Sequence, residues 1–144
     1  MKRLVYITIA VIFILSGSIP VLAGHANSET DFACSDVTEI PQTECEALVA
    51  LYNSTNGATW TDNTNWLMTN TPGNWYGVTV DSGHVIGLEL DYVHLLGSLP
   101  EQIQDLTNLQ YLSLDENKLS GSLPIGLGYI TSLQLLSLYK NLLS

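Results

Sequence analysis

From residue 85 onward, apolar residues recur at one fixed spacing along the chain. Shifts of 24 residues superimpose three sets of apolar positions: Val85, Leu88 and Leu90; Leu109, Leu112 and Leu114; and Leu133, Leu136 and Leu138. The second and third members of each set are two residues apart, so they share one face of a short strand. A period of this length indicates a stacked repeat architecture, in which each unit buries its apolar side against its neighbours.

The repeat follows the pattern Leu-x-x-Leu-x-Leu-x-x-Asn-x-Leu, which runs from Leu109 to Leu119 and marks a leucine-rich repeat. Asn117 follows the strand of the second repeat, and we expect its side chain to hydrogen-bond the backbone of the turn that leaves this strand. An extended Gly-Ser-Leu-Pro segment, residues 121–124, then leads to the outer face. The pattern predicts an α/β solenoid with short parallel strands on its concave face.

The Leu-Ser-Gly-Ser-Leu-Pro segment that follows Asn117 resembles the plant-type subclass of leucine-rich repeats, found in receptor-kinase ectodomains and bacterial surface proteins. Residues 47–53 and 74–80 are similar in order to the N-terminal cap of that family, which implies a helical cap ahead of the repeats. Two departures are visible. Asn74 and Val80 stand where the family usually has cysteines around Trp-x-Gly-Val, and Val93 replaces the asparagine of the first repeat.

A single helix is predicted for residues 40–56. Cys45, Leu48, Val49 and Tyr52 lie on one face at spacings of 3, 4 and 7 residues. Thr43 followed by Glu46 has the form of a capping box at the start of this helix. Gly57 could supply a left-handed cap at its end.

Residues 57–84 have no long period, and we expect loops with a short strand near 76–80. Three tryptophans fall in this segment: Trp60, Trp66 and Trp75. Sugar stacking is one interpretation, but we favour the interpretation that they form the core of a small cap that has few aliphatic residues.

The first residues have the order of a secretory signal: basic Lys2 and Arg3, an apolar run at 4–15, and a small-residue cleavage site at Ala23. The alternative to a cleaved signal peptide is that this segment remains as a membrane anchor. In that case it would be the chain's one contact with a membrane. The predicted domains are a signal peptide (1–23), an N-terminal extension with a disulfide (24–43), a cap (44–84), and two full repeats with a truncated third (85–144).

Cys34 and Cys45 are the only cysteines of the chain. In a secreted protein, an even pair this close in sequence most simply forms a disulfide, which would tie the extension to the helix. A metal or redox pair is disfavoured because ten residues intervene and Cys-x-x-Cys is absent. The cysteines and the signal segment together predict a secreted or extracytoplasmic surface protein.

The chain has 4 Lys+Arg and 14 Asp+Glu, a formal net charge of -10. A body this acidic repels phosphate backbones, so nucleic acid is excluded as a partner. No motif for a cofactor or a metal ion is found, and we expect neither.

Residues between the strand leucines point to solvent on the concave face, and we interpret them as a ligand-binding surface. We call this surface the concave strip: Glu89, Asp91, Tyr92, Tyr111, Ser113, Asp115, Glu116, Ser137 and Tyr139. Carboxylates with tyrosines suit a basic or polar protein or peptide. The alternatives are a merely solvated acidic surface and a carbohydrate-binding or carbohydrate-processing protein. Charge reversal of the four carboxylates is expected to remove binding and leave the fold intact.

Catalysis is disfavoured. Glu89 and Asp91 share a face at a spacing that glycosidases use, but an open sheet does not exclude water, and no catalytic motif accompanies them. A calcium site at Asp115 and Glu116 has no EF-hand or Gly-Asp repeat to support it. Because the sequence stops inside the third repeat, we expect the natural product to continue with further repeats.

Overall fold

The computed structural model describes residues 32–144, which include the cap and all three repeats. The predicted signal segment lies outside the described residues. The regular elements are one helix, α1 (Gln42–Ser54), and seven strands: β1 (Val78–Asp81), β2 (His84–Glu89), β3 (Leu96–Gly97), β4 (Tyr111–Ser113), β5 (Lys118–Gly121), β6 (Leu135–Ser137) and β7 (Leu142–Leu143). None of the helices in this range is long and apolar enough to cross a bilayer.

The strands form two sheets on stacked repeats. The larger sheet has the order β1-β2-β4-β6, in which β1 pairs antiparallel with β2 while β2, β4 and β6 are parallel. A second parallel set has the order β3-β5-β7, and its strands begin shortly after Val93, Asn117 and Asn141, which are equivalent positions of the three repeats. Short 3-10 helices (Glu101–Asp105 and Ile125–Tyr129) complete the first and second repeats on the opposite side. The parallel repeat strands and the helical cap are therefore confirmed.

The repeated leucines form the core, as their spacing predicts. Val85, Leu88, Leu90 and their equivalents in the second repeat are fully buried. The strands pair at matching positions, with Leu88 opposite Leu112 and Leu112 opposite Leu136. This register places identical repeat positions side by side, so each apolar layer continues from one repeat to the next. Leu136, on the end strand of the larger sheet, is 44 % exposed.

Asn117 connects two repeats through its side chain. Its amide nitrogen donates hydrogen bonds to the carbonyl oxygens of Leu90 (2.7 Å) and Leu114 (3.0 Å), and its oxygen accepts one from the Leu95 amide (2.9 Å). Asn141 repeats the arrangement one layer further on. The predicted hydrogen bond to the turn after the strand is the one to Leu114. The bonds to Leu90 and Leu95 of the preceding repeat satisfy the rest of the buried amide.

The expected capping box at Thr43 and Glu46 is wrong. Helix α1 begins at Gln42 after Pro41, so Thr43 already lies inside the first turn, and no side chain caps the N-terminus. Glu46 instead accepts a hydrogen bond from the Gln42 amide, with 2.7 Å between Nε2 and Oε1. The Pro41 carbonyl accepts the first helical amide bonds, from Glu44 and Cys45.

Glu44, in the first turn of α1, joins the helix to strand β2. Only 2 % of its surface is exposed. One carboxylate oxygen lies 2.7 Å from His84 Nδ1, and the other accepts the Val85 backbone amide at 2.8 Å. This buried carboxylate was not predicted from the sequence. It is stabilised by two polar partners and fixes the helix against the edge of the first repeat.

The end of α1 also differs from the expectation. Asn56, and not Gly57, takes the left-handed conformation, with a φ of 58°. Asparagine tolerates this region better than most residues because its side chain is short and polar. Gly57 is required for a different reason: a Cβ there would lie 2.2 Å from Cδ2 of Tyr52, so only glycine lets this ring pack against the turn.

The cap has a disulfide and an aromatic core. Cys34 and Cys45 are bonded, with 5.7 Å between their Cα atoms, so the predicted disulfide is confirmed. Trp60, Trp66 and Trp75 are all buried, and their ring centroids follow one another at 5.0 Å. Each indole N–H donates to a backbone carbonyl. The tryptophans are therefore core residues, as the favoured interpretation holds.

Candidate binding surface

Strand pairing arranges the concave strip in rows across the larger sheet. Tyr111 lies between Gly87 of the first repeat and Leu135 of the third. The next outward-facing row contains Glu89, Ser113 and Ser137. Neighbouring strands lie about 4.8 Å apart, so one ligand residue can contact side chains from two repeats. The structure therefore brings the predicted residues together on one face.

The tyrosines of the concave strip are accessible. Tyr92, Tyr111 and Tyr139 are 64 %, 40 % and 65 % exposed. Glu89 is also exposed, and its carboxylate makes no hydrogen bond with any residue in the range 32–144. Rigid aromatic rings beside an unengaged carboxylate offer both contact area and a charged anchor.

Asp91 and Asp115 are engaged by the following repeat. The Asp91 carboxylate accepts hydrogen bonds from Ser113 Oγ (2.9 Å) and from the Asp115 backbone amide (2.7 Å). One repeat later, Asp115 accepts Ser137 Oγ (2.7 Å) and the Tyr139 amide (2.6 Å). These bonds form a ladder along the concave face that holds each strand end against the next.

The aspartate ladder changes the expected effect of charge reversal. Replacing Asp91 or Asp115 by a basic residue removes the acceptor of a hydroxyl and of a backbone amide, so we expect charge reversal to lower the stability of the repeats as well as to affect binding. The serines of the concave strip, Ser113 and Ser137, are the donors of the same ladder. The sequence contains a signal for the aspartate ladder, because both the aspartates and the serines recur at a spacing of 24 residues. This spacing alone did not show that the aspartates and the serines contact each other.

Glu116 and Lys140 form an ion pair across two repeats. The hydrogen bond that the exposed Lys140 ammonium donates to Glu116, and then the charge of Glu116, raise the pKa of Lys140. Tyr92, Glu116 and Lys140 occupy equivalent positions in successive repeats, and all three have positive φ values of 53–59°. Glu116 is therefore partly neutralised, which leaves Glu89 as the more available carboxylate for a ligand.

Within residues 32–144, no three His, Cys, Asp or Glu side chains are grouped as metal ligands.

Solved structures of plant receptors share this fold. The leucine-rich-repeat ectodomain of the receptor kinase SOBIR1 from Arabidopsis thaliana has a TM-score of 0.60 at 21 % identity, covering 72 % of this chain and 56 % of that one. The BIR2 ectodomain from Arabidopsis thaliana has a TM-score of 0.56 at 31 % identity, covering 74 % and 58 %. This chain thus spans a little over half the length of both structures.

A third similar structure contains a ligand. The ectodomain of the Arabidopsis receptor kinase HAESA, in complex with an IDA peptide hormone, has a TM-score of 0.55 at 27 % identity, covering 72 % of this chain and 18 % of that one. No protein-family model matches the sequence, and no curated protein matches it either. The fold defines a leucine-rich-repeat protein. Its cap and repeats are similar to those of the plant-type ectodomains, which confirms the resemblance found in the sequence.

Proposed function

We propose that this chain is an extracytoplasmic, non-catalytic leucine-rich-repeat module, a solenoid that binds a protein or peptide on its concave strip. The observation that carries the proposal is the combination of three exposed tyrosines with the unengaged Glu89 on a sheet that is otherwise held by hydrogen bonds. A surface fixed in this way is pre-organised, so a ligand loses little free energy to ordering the protein on binding.

Charge favours a basic or polar ligand. Glu89 is available to a cationic side chain, and the ladder carboxylates Asp91 and Asp115 add negative potential beside it. Tyr111 lies on the adjacent strand, one row away, where its ring can contact the aliphatic part of a lysine or arginine. The peptide complex of the similar HAESA ectodomain supports a peptide as one class of ligand.

The hydrogen bonding of the Glu89 and Asp91 pair favours binding over catalysis. Glu89 and Asp91 are two residues apart, but the Asp91 carboxylate is engaged by two donors, the Ser113 hydroxyl and the Asp115 backbone amide. A general acid or nucleophile needs a carboxylate that can protonate or attack, and this one is held by the repeat. The exposed sheet also leaves the pair in contact with water.

An extracytoplasmic location is supported by two features. The Cys34–Cys45 disulfide is typical of oxidising compartments. The apolar run at 4–15, with basic residues ahead of it and small residues after it, is typical of a secretory signal. Neither feature depends on which ligand is bound.

The test begins with selection of binders for the purified chain from a displayed library of random peptides. Affinities of the selected peptides are then measured for the chain and for the double variant Glu89→Lys/Tyr111→Ala. Both positions are exposed and outside the aspartate ladder, so the fold should be retained. We expect affinity to fall by about tenfold or more, because a charged contact and an aromatic contact are lost.

A matched double variant on the opposite side of the repeats is the control. Glu101→Lys/Tyr129→Ala changes the same residue types on the 3-10 helices, where Tyr129 is 74 % exposed. We expect it to leave peptide affinity within about twofold of the unmodified chain, since surface changes away from the site are small. Equal losses in the two double variants would exclude the concave strip as the binding surface.

A further inference from the structure

A cleft of about 780 Å³ lies in the cap, away from the concave strip. It is bounded by the last turns of α1 and by the loop that contains Trp66. Tyr52 forms part of its floor and stacks on Trp66, with 5.8 Å between ring centroids and 19° between planes. The volume is in the range of small-molecule sites in proteins. Nothing in the proposed peptide-binding function accounts for this cleft.

None of the described residues that line the cleft is charged, although the chain carries a formal net charge of -10. Its polar groups are amides and a phenol: the side chains of Asn53, Asn56, Asn63 and Tyr52. Its apolar groups include Phe32 and the exposed Met68. A lining of this kind suits a ligand that is uncharged and that presents both hydroxyl groups and apolar C–H surface.

Hydrogen-bonding capacity remains available inside the cleft. Asn63 donates to the Gly57 carbonyl (2.9 Å) and to the Tyr52 hydroxyl (3.4 Å), which leaves its own carbonyl oxygen and the Tyr52 proton unused among the described residues. Asn53 and Asn56 make no side-chain hydrogen bond within residues 32–144. Each amide offers a donor and an acceptor side by side, the arrangement that matches two adjacent hydroxyls.

The loop that lines the cleft is held in an unfavourable conformation. Leu67 has a φ of 55°, a region that bulky side chains rarely occupy, and Asn65 has a φ of 67°. Buried Trp66 lies between them and donates its indole N–H to the Tyr76 carbonyl at 2.9 Å. Backbone strain of this kind persists only where the surroundings impose it, and it is concentrated at binding sites.

We propose that the cap cleft binds a neutral saccharide. The amides and the Tyr52 hydroxyl would bind hydroxyl groups, and the rings of Phe32 and Tyr52 would contact the C–H face of a sugar ring. A purely apolar occupant would leave the amides without partners, which costs free energy. A charged ligand would find no counter-ion among the described lining residues. The site is separate from the concave strip, so either can be correct without the other.

The test measures binding of two neutral oligosaccharides, cellohexaose and chitohexaose, to the purified chain by isothermal titration calorimetry. An anionic oligogalacturonate of the same length serves as the comparison probe. We expect at least one neutral probe to bind and the anionic probe not to bind. Binding of neither neutral probe, or of the anionic one alone, would overturn the proposal.

Variants locate the binding in the cleft. Asn53→Ala/Asn56→Gly removes two amides, and both changes suit the backbone, because alanine favours a helix and glycine accepts the left-handed turn. We expect about a tenfold loss of saccharide affinity, the effect of one or two hydrogen bonds. Tyr52→Phe, which keeps the ring, should give a smaller loss. Asn70→Ala, an exposed change outside the cleft, is the matched control and should bind normally. Unchanged affinity in the first two variants would show that any binding lies elsewhere.

Discussion

Removal of one rung of the aspartate ladder tests whether the concave face is held by side-chain bonds between repeats. In Asp91→Ala, Ser113 Oγ and the Asp115 amide lose their acceptor. Hydrogen bonds to charged groups contribute about 1.5–3 kcal/mol each. Asp91 is half-buried, so water replaces part of the loss, and we expect the free energy of unfolding to fall by about 2–3 kcal/mol in total.

This loss is large compared with the about 5–15 kcal/mol that stabilises an ordinary domain. It corresponds to a fall in Tm of about 10–20 °C for a domain near 100 residues. Urea and thermal unfolding followed by far-ultraviolet circular dichroism will measure both quantities. Tryptophan fluorescence is a useful second probe, because Trp60, Trp66 and Trp75 all lie in the cap and report on it separately.

Glu89→Ala is the matched control for this variant. It removes the same charge from the same strand face, but Glu89 is exposed and has no side-chain hydrogen bond among the described residues. Its effect on the free energy of unfolding should stay within about 0.5 kcal/mol. If Asp91→Ala proves as mild as Glu89→Ala, the ladder does not stabilise the repeats and the reasoning is refuted.

Three further predictions follow from the same contacts. The double variant Cys34→Ser/Cys45→Ser should lower the free energy of unfolding by about 2–3 kcal/mol in urea titrations, and an unchanged midpoint would contradict the structural role of the disulfide. Asn117→Ala should cost about 2–4 kcal/mol, measured in the same way, because it leaves buried backbone groups of two repeats without partners; a loss under 1 kcal/mol would be inconsistent with that role. Glu116→Gln should lower the pKa of Lys140 toward its ordinary value, as followed by NMR titration. Because the pair raises that pKa, any stabilisation it provides is present while Lys140 is charged and is lost as pH rises through the pKa; an unchanged pKa would rule out the pairing in solution.

The repeat architecture could be predicted from the sequence because its signal is redundant. The leucine positions recur three times at 24 residues, and each copy constrains the others. The role of Asn117 was predicted for the same reason, although its bonds to Leu90 and Leu95 of the preceding repeat required the stacking itself. Periodicity therefore revealed which residues are equivalent but not which equivalent residues contact one another.

The local features of the cap were predicted less accurately than the repeats. The Thr43–Glu46 spacing fits a capping box only if Thr43 is the N-cap residue, but the helix begins at Gln42 with Pro41 as its N-cap. Glu44 was missed because its partner, His84, lies 40 residues away. Asn56 and Gly57 both tolerate a left-handed turn, and the sequence alone does not decide between them. These features of the cap depend on tertiary contacts. The cap occurs once in the sequence, so no second copy indicates which of its residues are in contact.

Hydroxyl-radical footprinting of the tyrosines, with and without a selected peptide, tests the central claim most directly. Four exposed tyrosines provide the readout in one molecule: Tyr92, Tyr111 and Tyr139 on the concave strip and Tyr129 on the opposite side. A ligand bound as proposed lowers the oxidation rate of at least two of the three concave tyrosines and leaves that of Tyr129 unchanged. Protection of Tyr129 with unchanged oxidation of the concave tyrosines would contradict the account.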